Sequence, residues 1–202
     1  IRSLGEMPGA MQCCRRCITG RSMNTLLLQL IAPMQSWGVQ SLYGHRDSGL
    51  EPSKSGVVGL LCAALGRDRS ESVSDLAALR MGVRVDREGK LRKDFQKAEP
   101  LNRFGQMAPD RKVTIGDRYY LADAAFLVGL EGGPALLDSL VQALLHPVYA
   151  LFLGRKSFPP AAPILLPDSL YAHTPLEQAL RTCGPIVRDA PVRRRVLIED
   201  PL

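Results

Sequence analysis

"SKSGVVGLLCAALG", residues Ser53 to Gly66, reads as one helix, and its neighbours turn it into a fold. Ser53 or Ser55 is placed to cap the first turn and Gly66 to end the last. The run between them is apolar almost all round, so the helix is expected to be buried. Gly56 and Gly59 would let it pack closely on a sheet. Upstream, "TLLLQLIAP" (Thr25 to Pro33) is a short apolar run closed by proline, the pattern of a buried strand. The stretch "MQSWGVQSLYGHRDSGLEPSK" between them has no period and is rich in glycine and serine, so it is a loop.

Downstream, "SVSDLAALRMGVRVDREG" gives a short helix and then a strand. Met81, Val83 and Val85 alternate with Gly82, Arg84 and Asp86, which predicts a half-exposed strand, and Gly89 suggests a turn. From Lys90 to Asp117 the periodicity is lost. Lys90, Arg92, Lys93, Lys97, Arg103, Arg111 and Lys112 are interleaved there with Phe95, Phe104, Pro100 and Pro109. An insertion of this length is functional or disordered. "RYYLADAAFLVGLEGG" (Arg118 to Gly133) reads as a strand ending in a turn. "PALLDSLVQALLHP" is an amphipathic helix bracketed by prolines, with Leu136, Leu137, Leu140, Leu144 and Leu145 as its stripe. "VYALFL" (Val148 to Leu153) follows as a further strand.

The order strand, helix, strand, insertion, strand, helix, strand is an α+β, ferredoxin-like (RRM-like) βαββαβ plan. The domain spans residues 23–163. Residues 164–202 form a smaller irregular C-terminal part, with prolines at 167, 175, 185, 191 and 201 and a possible basic strand "VRRRVLI". Residues 1–22 read as a leader or an expression remnant and are set aside.

The 202 residues carry a formal charge of +6 and are 46% hydrophobic and 23% charged. That is the balance of a globular chain with an anionic partner. No apolar run reaches the roughly 18–20 residues of a membrane span. Five cysteines, three of them in "CCRRC", make no secreted disulfide framework, and Cys13, Cys14 and Cys17 have no nearby histidine to complete a zinc site. A reducing cytoplasm fits, with no metal and no cofactor.

Four constellations could carry chemistry. "PSKSG" puts Ser53, Lys54, Ser55 and Gly56 at a helix amino end, which suits either a phosphate or simple capping; the Walker spacing is absent. "LGRKSFPPAAP" (Leu153 to Pro163) is a stiff basic loop. Gly154 lets backbone approach a ligand, Arg155 and Lys156 supply charge and Ser157 a hydroxyl; the alternative is a solvated turn. The insertion interleaves bases with Phe95, Phe104, Tyr119 and Tyr120, the pattern of stacking plus phosphate contact, or of a solvated hairpin. Trp37 either stacks on a base or fills the core. Nuclease chemistry needs an acid–base pair, yet His45, His146 and His173 lie far apart, and only His45, beside Tyr43 and Arg46, is a candidate.

Taken together, "LLLQLIAPMQSWG", "PSKSGVVGLLCAALG", "LADAAFLVGL" and "LGRKSFPPAAP" resemble the CasD family over about Met23 to Pro163. This is the handle-binding subunit family of Cascade, the type I-E CRISPR surveillance complex, within the RAMP superfamily. The resemblance implies a ferredoxin-like domain with a thumb over about residues 90–118. It implies a non-catalytic, cytoplasmic subunit that grips the 5′ handle of CRISPR RNA (crRNA) and caps the backbone filament of RAMP subunits. Such a subunit contacts the large subunit and meets target DNA only through the complex, with no membrane involved. The implied RNA-binding set is Trp37, Arg46, Ser53, Lys54, Ser55, Gly56, Arg103, Arg111, Lys112, Arg118, Gly154, Arg155, Lys156 and Ser157. The alternative is a metal-independent repeat endoribonuclease as in the type I-C branch. The Lys–His pair of that branch has no match here, and His45 with Tyr43 keeps the alternative open.

Overall fold

The computed structural model describes residues 23–39, 41–42, 45–99 and 113–200. In chain order the elements begin β1 (Asn24–Ile31), β2 (Met34–Gln35), β3 (Ser41–Leu42), β4 (His45–Arg46), α1 (Lys54–Leu65), α2 (Ser74–Ala77) and β5 (Arg80–Arg87). They continue β6 (Lys90–Ala98), β7 (Thr114–Ala122), β8 (Ala125–Gly132), α3 (Pro134–Leu145), β9 (Leu165–Tyr171), α4 (Leu176–Thr182) and β10 (Arg195–Ile198). The main sheet has the order β10-β5-β8-β1-β9, and every pairing in it is antiparallel. The second sheet has the order β2-β7-β4-β3, with β6 also paired to β7. Among the described residues no helix is long and apolar enough to cross a membrane.

The main sheet is covered on both faces, which is why β1 reads as a nearly unbroken apolar run. Leu26, Leu28, Leu30, Val83, Val85, Phe126 and Val128 pack with Val57, Leu61, Leu137 and Leu140 of α1 and α3. Leu27 and Leu127 point the other way, against Leu176, Ala179 and Leu180 of α4. Gly129 makes room for α4: a Cβ there would lie 2.5 Å from Leu176 Cδ1.

The structure departs from the sequence reading in five places. First, "VYALFL" is not a strand. Val148 N donates to Ala64 O (3.0 Å) and Tyr149 N to Ala63 O (3.1 Å), so this segment satisfies the open carbonyls at the end of α1. Second, the fourth central strand is β9, inside the stretch expected to be irregular, so the folded unit runs beyond residue 163. β9 was hidden by Pro167 and by a register shift against Leu26 and Leu28, with Asp168 at φ 54°. Third, "RYYLADAAFLVGL" is two strands, β7 and β8, separated at Asp123, whose φ is 57°. Fourth, the described part of the insertion is not aperiodic: β6 and β7 pair antiparallel over nine register positions.

Fifth, β5 is not half-exposed. Arg84 and Asp86 are 2% and 0% exposed and lie beneath the end of α4. Arg84 Nε and Nη2 donate to the two Asp86 carboxylate oxygens at 2.6 and 2.8 Å. The same guanidinium donates to Leu180 O, Cys183 O and Gly184 O at 2.6–2.7 Å. A cation therefore meets the carbonyl end of a helix, where it is favoured. Asp86 in turn accepts from Ile186 N at 2.8 Å. This knot fastens α4 and the turn after it to the sheet.

Candidate nucleic-acid interface

Two of the sequence constellations meet at one dipeptide, Ser36–Trp37. Ser36 N donates to Leu153 O at 3.1 Å. Gly154 has φ +91°, and a Cβ there would sit 1.7 Å from Ser36 O. Only glycine fits, and the close partner is the protein's own backbone. Leu153 N donates to Phe158 O and Phe158 N to Arg155 O, both at 2.8 Å, closing the loop into a tight turn. Leu153 and Phe158 are buried as its two anchors.

Trp37 anchors the other constellation. Its side chain is 1% exposed, and Nε1 donates to Gln35 Oε1 at 3.1 Å. A Cβ on Gly56 would lie 2.8 Å from the Trp37 ring, so the start of α1 rests on the indole. The expectation that Trp37 contacts RNA is corrected on this ground: a ring sealed in the core has no face to offer a base. The expected role of Gly59 in packing is also corrected, because a Cβ at that position would meet nothing within 4 Å.

The amino end of α1 is largely occupied from within. Ser53 Oγ accepts from Gly56 N at 3.3 Å, an ordinary cap. Lys54 Nζ donates to both carboxylate oxygens of Glu199 at 2.7 Å. Those bonds, chiefly, hold the Glu199 carboxyl below its usual range. Lys54 thus clasps the end of β10, and a phosphate there would have to displace Glu199. Ser55 is exposed on the first turn.

The loop's charge converges with the second sheet. Arg155 Nη2 donates to Tyr119 O at 2.9 Å, and its guanidinium lies 5.5 Å from the Phe158 ring centroid. Phe158 also tilts against Tyr120, with centroids 6.0 Å apart. In the parallel β4–β7 pairing Arg46 is the register partner of Arg118. Burial, followed by the charges of Arg118 and Arg46, pulls Arg155 below the usual arginine value, and Asp94 opposes this. Asp94 is the cross-strand partner of Arg118. Three guanidinium groups from three separate segments therefore share a local field, with one carboxylate among them. Lys156 and Ser157 are exposed beside them at the turn.

The β6–β7 pair sorts its remaining residues by face, because directly opposed residues in an antiparallel ladder share one. Arg92 is opposite Tyr120, on the face of Arg118. Leu91, Phe95 and Ile115 lie exposed on the other face. Lys93 and Lys97 alternate with them and are ion-paired to Asp117 at 3.2 Å and Glu99 at 2.6 Å. Among the described residues the insertion's bases are thus not one patch. Arg103, Arg111 and Lys112 lie outside the described residues, as does Tyr43. His45 opens β4, His146 caps the end of α3 and His173 follows β9, so the three histidines stand on separate segments. Among the described residues no three His, Cys, Asp or Glu side chains cluster as metal ligands. Phe158 was not singled out in the sequence; its spacing of three from Arg155, directly before Pro159 and Pro160, is the signal that marks it.

A model of the family described as CRISPR-associated protein (Cas_Cas5) matches residues 25–196. The chain is 32% identical over 156 residues to the curated "CRISPR system Cascade subunit CasD" of Escherichia coli (strain K12), covering 70% of this chain and 69% of that protein. A solved structure described as "Crystal structure of Cas protein" aligns with a TM-score of 0.62 at 53% identity, over 77% of this chain and 69% of its own. A chain of a "CRISPR RNA-guided surveillance complex" aligns with a TM-score of 0.62 at 34% identity, over 71% of this chain and 64% of its own.

Proposed function

This chain belongs to the Cas5 family of CRISPR-associated proteins, and from that premise we propose that it is the CasD-type subunit of an RNA-guided surveillance complex of the Cascade kind. In this role it grips the 5′ handle of crRNA, caps the filament of RAMP subunits and touches the large subunit. It meets target DNA only through the assembled complex, in the cytoplasm. It binds without cutting.

The observation that carries the reading is the convergence of Arg46, Arg118 and Arg155. Their mutual charge is balanced nearby by Asp94 alone among the groups acting on Arg155. Guanidinium groups so placed favour an anion, and a phosphate oxygen accepts their N–H groups well. Lys156 and Ser157 extend the same surface, whereas Gly56, capped by Ser53, supports it from behind through Trp37, and Lys54 is held by Glu199. The strand order β9-β1-β8-β5, with α1 and α3 sharing a face, fits a ferredoxin-like RAMP domain. The β6–β7 pair belongs to its thumb on this reading, and Arg103, Arg111 and Lys112 remain in the proposed RNA-binding set.

The test is incubation of purified protein with labelled repeat RNA in chelator, each sample run on native and denaturing gels. A shifted but intact RNA is expected. Discrete cut products that vanish in His45→Ala would replace this reading with the repeat endoribonuclease.

A further inference from the structure

A second feature adjoins the basic loop and shares Lys156 and Pro159 with it. There a cleft of about 940 Å³ opens between the outer side of α1, residues 67–73 and the segment 149–152. That volume is within the roughly 300–1,000 Å³ usual for small-ligand pockets. Tyr149, 57% exposed, and the half-buried Phe152 line it with aromatic surface. Arg69 and Lys156 line it with charge, and their side chains make no hydrogen bond or ion pair among the described residues. The other charges are already engaged. Arg67 is bidentate to Asp75 at 2.7 and 2.5 Å, Asp68 accepts from Ser70, and Glu71 accepts from Asp68 N. Gly59, in the middle of α1, faces the same cleft, and a Cβ there would meet nothing within 4 Å. A mid-helix glycine costs helix stability relative to alanine, and no contact within the protein accounts for this one. It keeps the cleft open down to the helix backbone.

We infer that this cleft takes one unstacked nucleotide of the bound RNA, its base on Tyr149 and Phe152 and its phosphate between Arg69 and Lys156. Aromatic surface with adjoining cations is how single-stranded nucleotides are held without base pairing; Lys156 supplies the cation here, with Arg69 shared with the neighbouring Asp68. Lys156 belongs both to the cleft and to the loop that carries Arg155, so a strand leaving the arginine cluster arrives here. The inference rests on the RNA-binding reading above.

The protein carries its own reporter, because the Cys62 thiol lines the cleft. Full-length protein is treated with a maleimide, with and without saturating repeat RNA, and modified cysteines are mapped by mass spectrometry. Cys183, elsewhere in the fold, is the internal control. RNA is expected to slow labelling of Cys62 at least fivefold and to leave Cys183 unchanged. Tyr149→Ala is expected to weaken RNA binding about tenfold, the loss of one base stack, with the salt dependence unchanged. Gly59→Leu, which fills the cleft and favours the helix, is expected to weaken binding similarly without lowering the melting temperature. If RNA binds and Cys62 labels at its free rate, the cleft is not a nucleotide site and the arginine cluster stands. If the wild-type protein binds no RNA, both proposals fall together.

Discussion

Arg84→Ala should be among the most damaging single changes in this chain. The guanidinium is 2% exposed and serves Asp86 and three carbonyls at the end of α4. Truncation leaves the Asp86 carboxylate, 0% exposed, with the Ile186 N–H and a more distant Arg194 at 3.7 Å. Breaking a buried pair by removing one partner costs about 3–5 kcal/mol. For a chain of this size each kcal/mol moves the melting temperature by about 2–4 °C, so a fall of about 10 °C is expected. Thermal unfolding by circular dichroism and urea unfolding measure it directly. Replacing both partners, as Arg84→Met with Asp86→Leu, removes the stranded charge and should cost less than Arg84→Ala alone. A loss below about 1 kcal/mol for Arg84→Ala, or a double variant worse than the two singles summed, refutes the knot as described.

Gly154→Ala should displace the basic loop, since its Cβ would overlap Ser36 O; both a lower melting temperature and weaker RNA binding are expected, and unchanged RNA affinity would separate Gly154 from the site. Glu199→Gln should cost about 1 kcal/mol by loosening the Lys54 clasp, a small figure because the pair is partly exposed, while RNA affinity stays within about twofold; a large gain in RNA affinity, from the Lys54 ammonium released, would return Lys54 to the interface. The Glu199 carboxyl is held low, so the clasp's contribution is fully present above its ordinary value and is lost as the pH falls through the depressed one. Asp75, hydrogen-bonded by Arg67, should titrate near pH 2 by carboxyl NMR, and a midpoint near 4 would show that pair to be absent in solution.

The parts of the fold with a clear period were legible from sequence. α1 and α3 were read at nearly their observed bounds, because a capping serine, a left-handed glycine and a leading proline mark their ends locally. β9 was not legible, because a proline and a bulge erase the alternation that identifies a strand. Arg84 and Asp86 were misread for a related reason. Alternation shows which residues share a face, but the partner that covers the polar face, α4, is about a hundred residues away. At the candidate site, the motifs around Lys54 and Arg155 marked two segments that the fold brings to Ser36–Trp37, and did not reveal how the charges divide. Lys54 meets Glu199, and Arg155 meets the field of Arg46 and Arg118, only through tertiary contacts.

The central claim is that Arg46, Arg118 and Arg155 together hold RNA phosphates. Its most direct test is the affinity of repeat RNA across a salt series, for the wild-type protein and for a variant with all three arginines changed to glutamine. Each phosphate contact on a single strand contributes about 0.7 to the slope of log affinity against log salt. The account predicts a slope shallower by about 2 in the variant, with secondary structure retained. An unchanged slope in a folded variant would contradict it and place the RNA elsewhere on the chain.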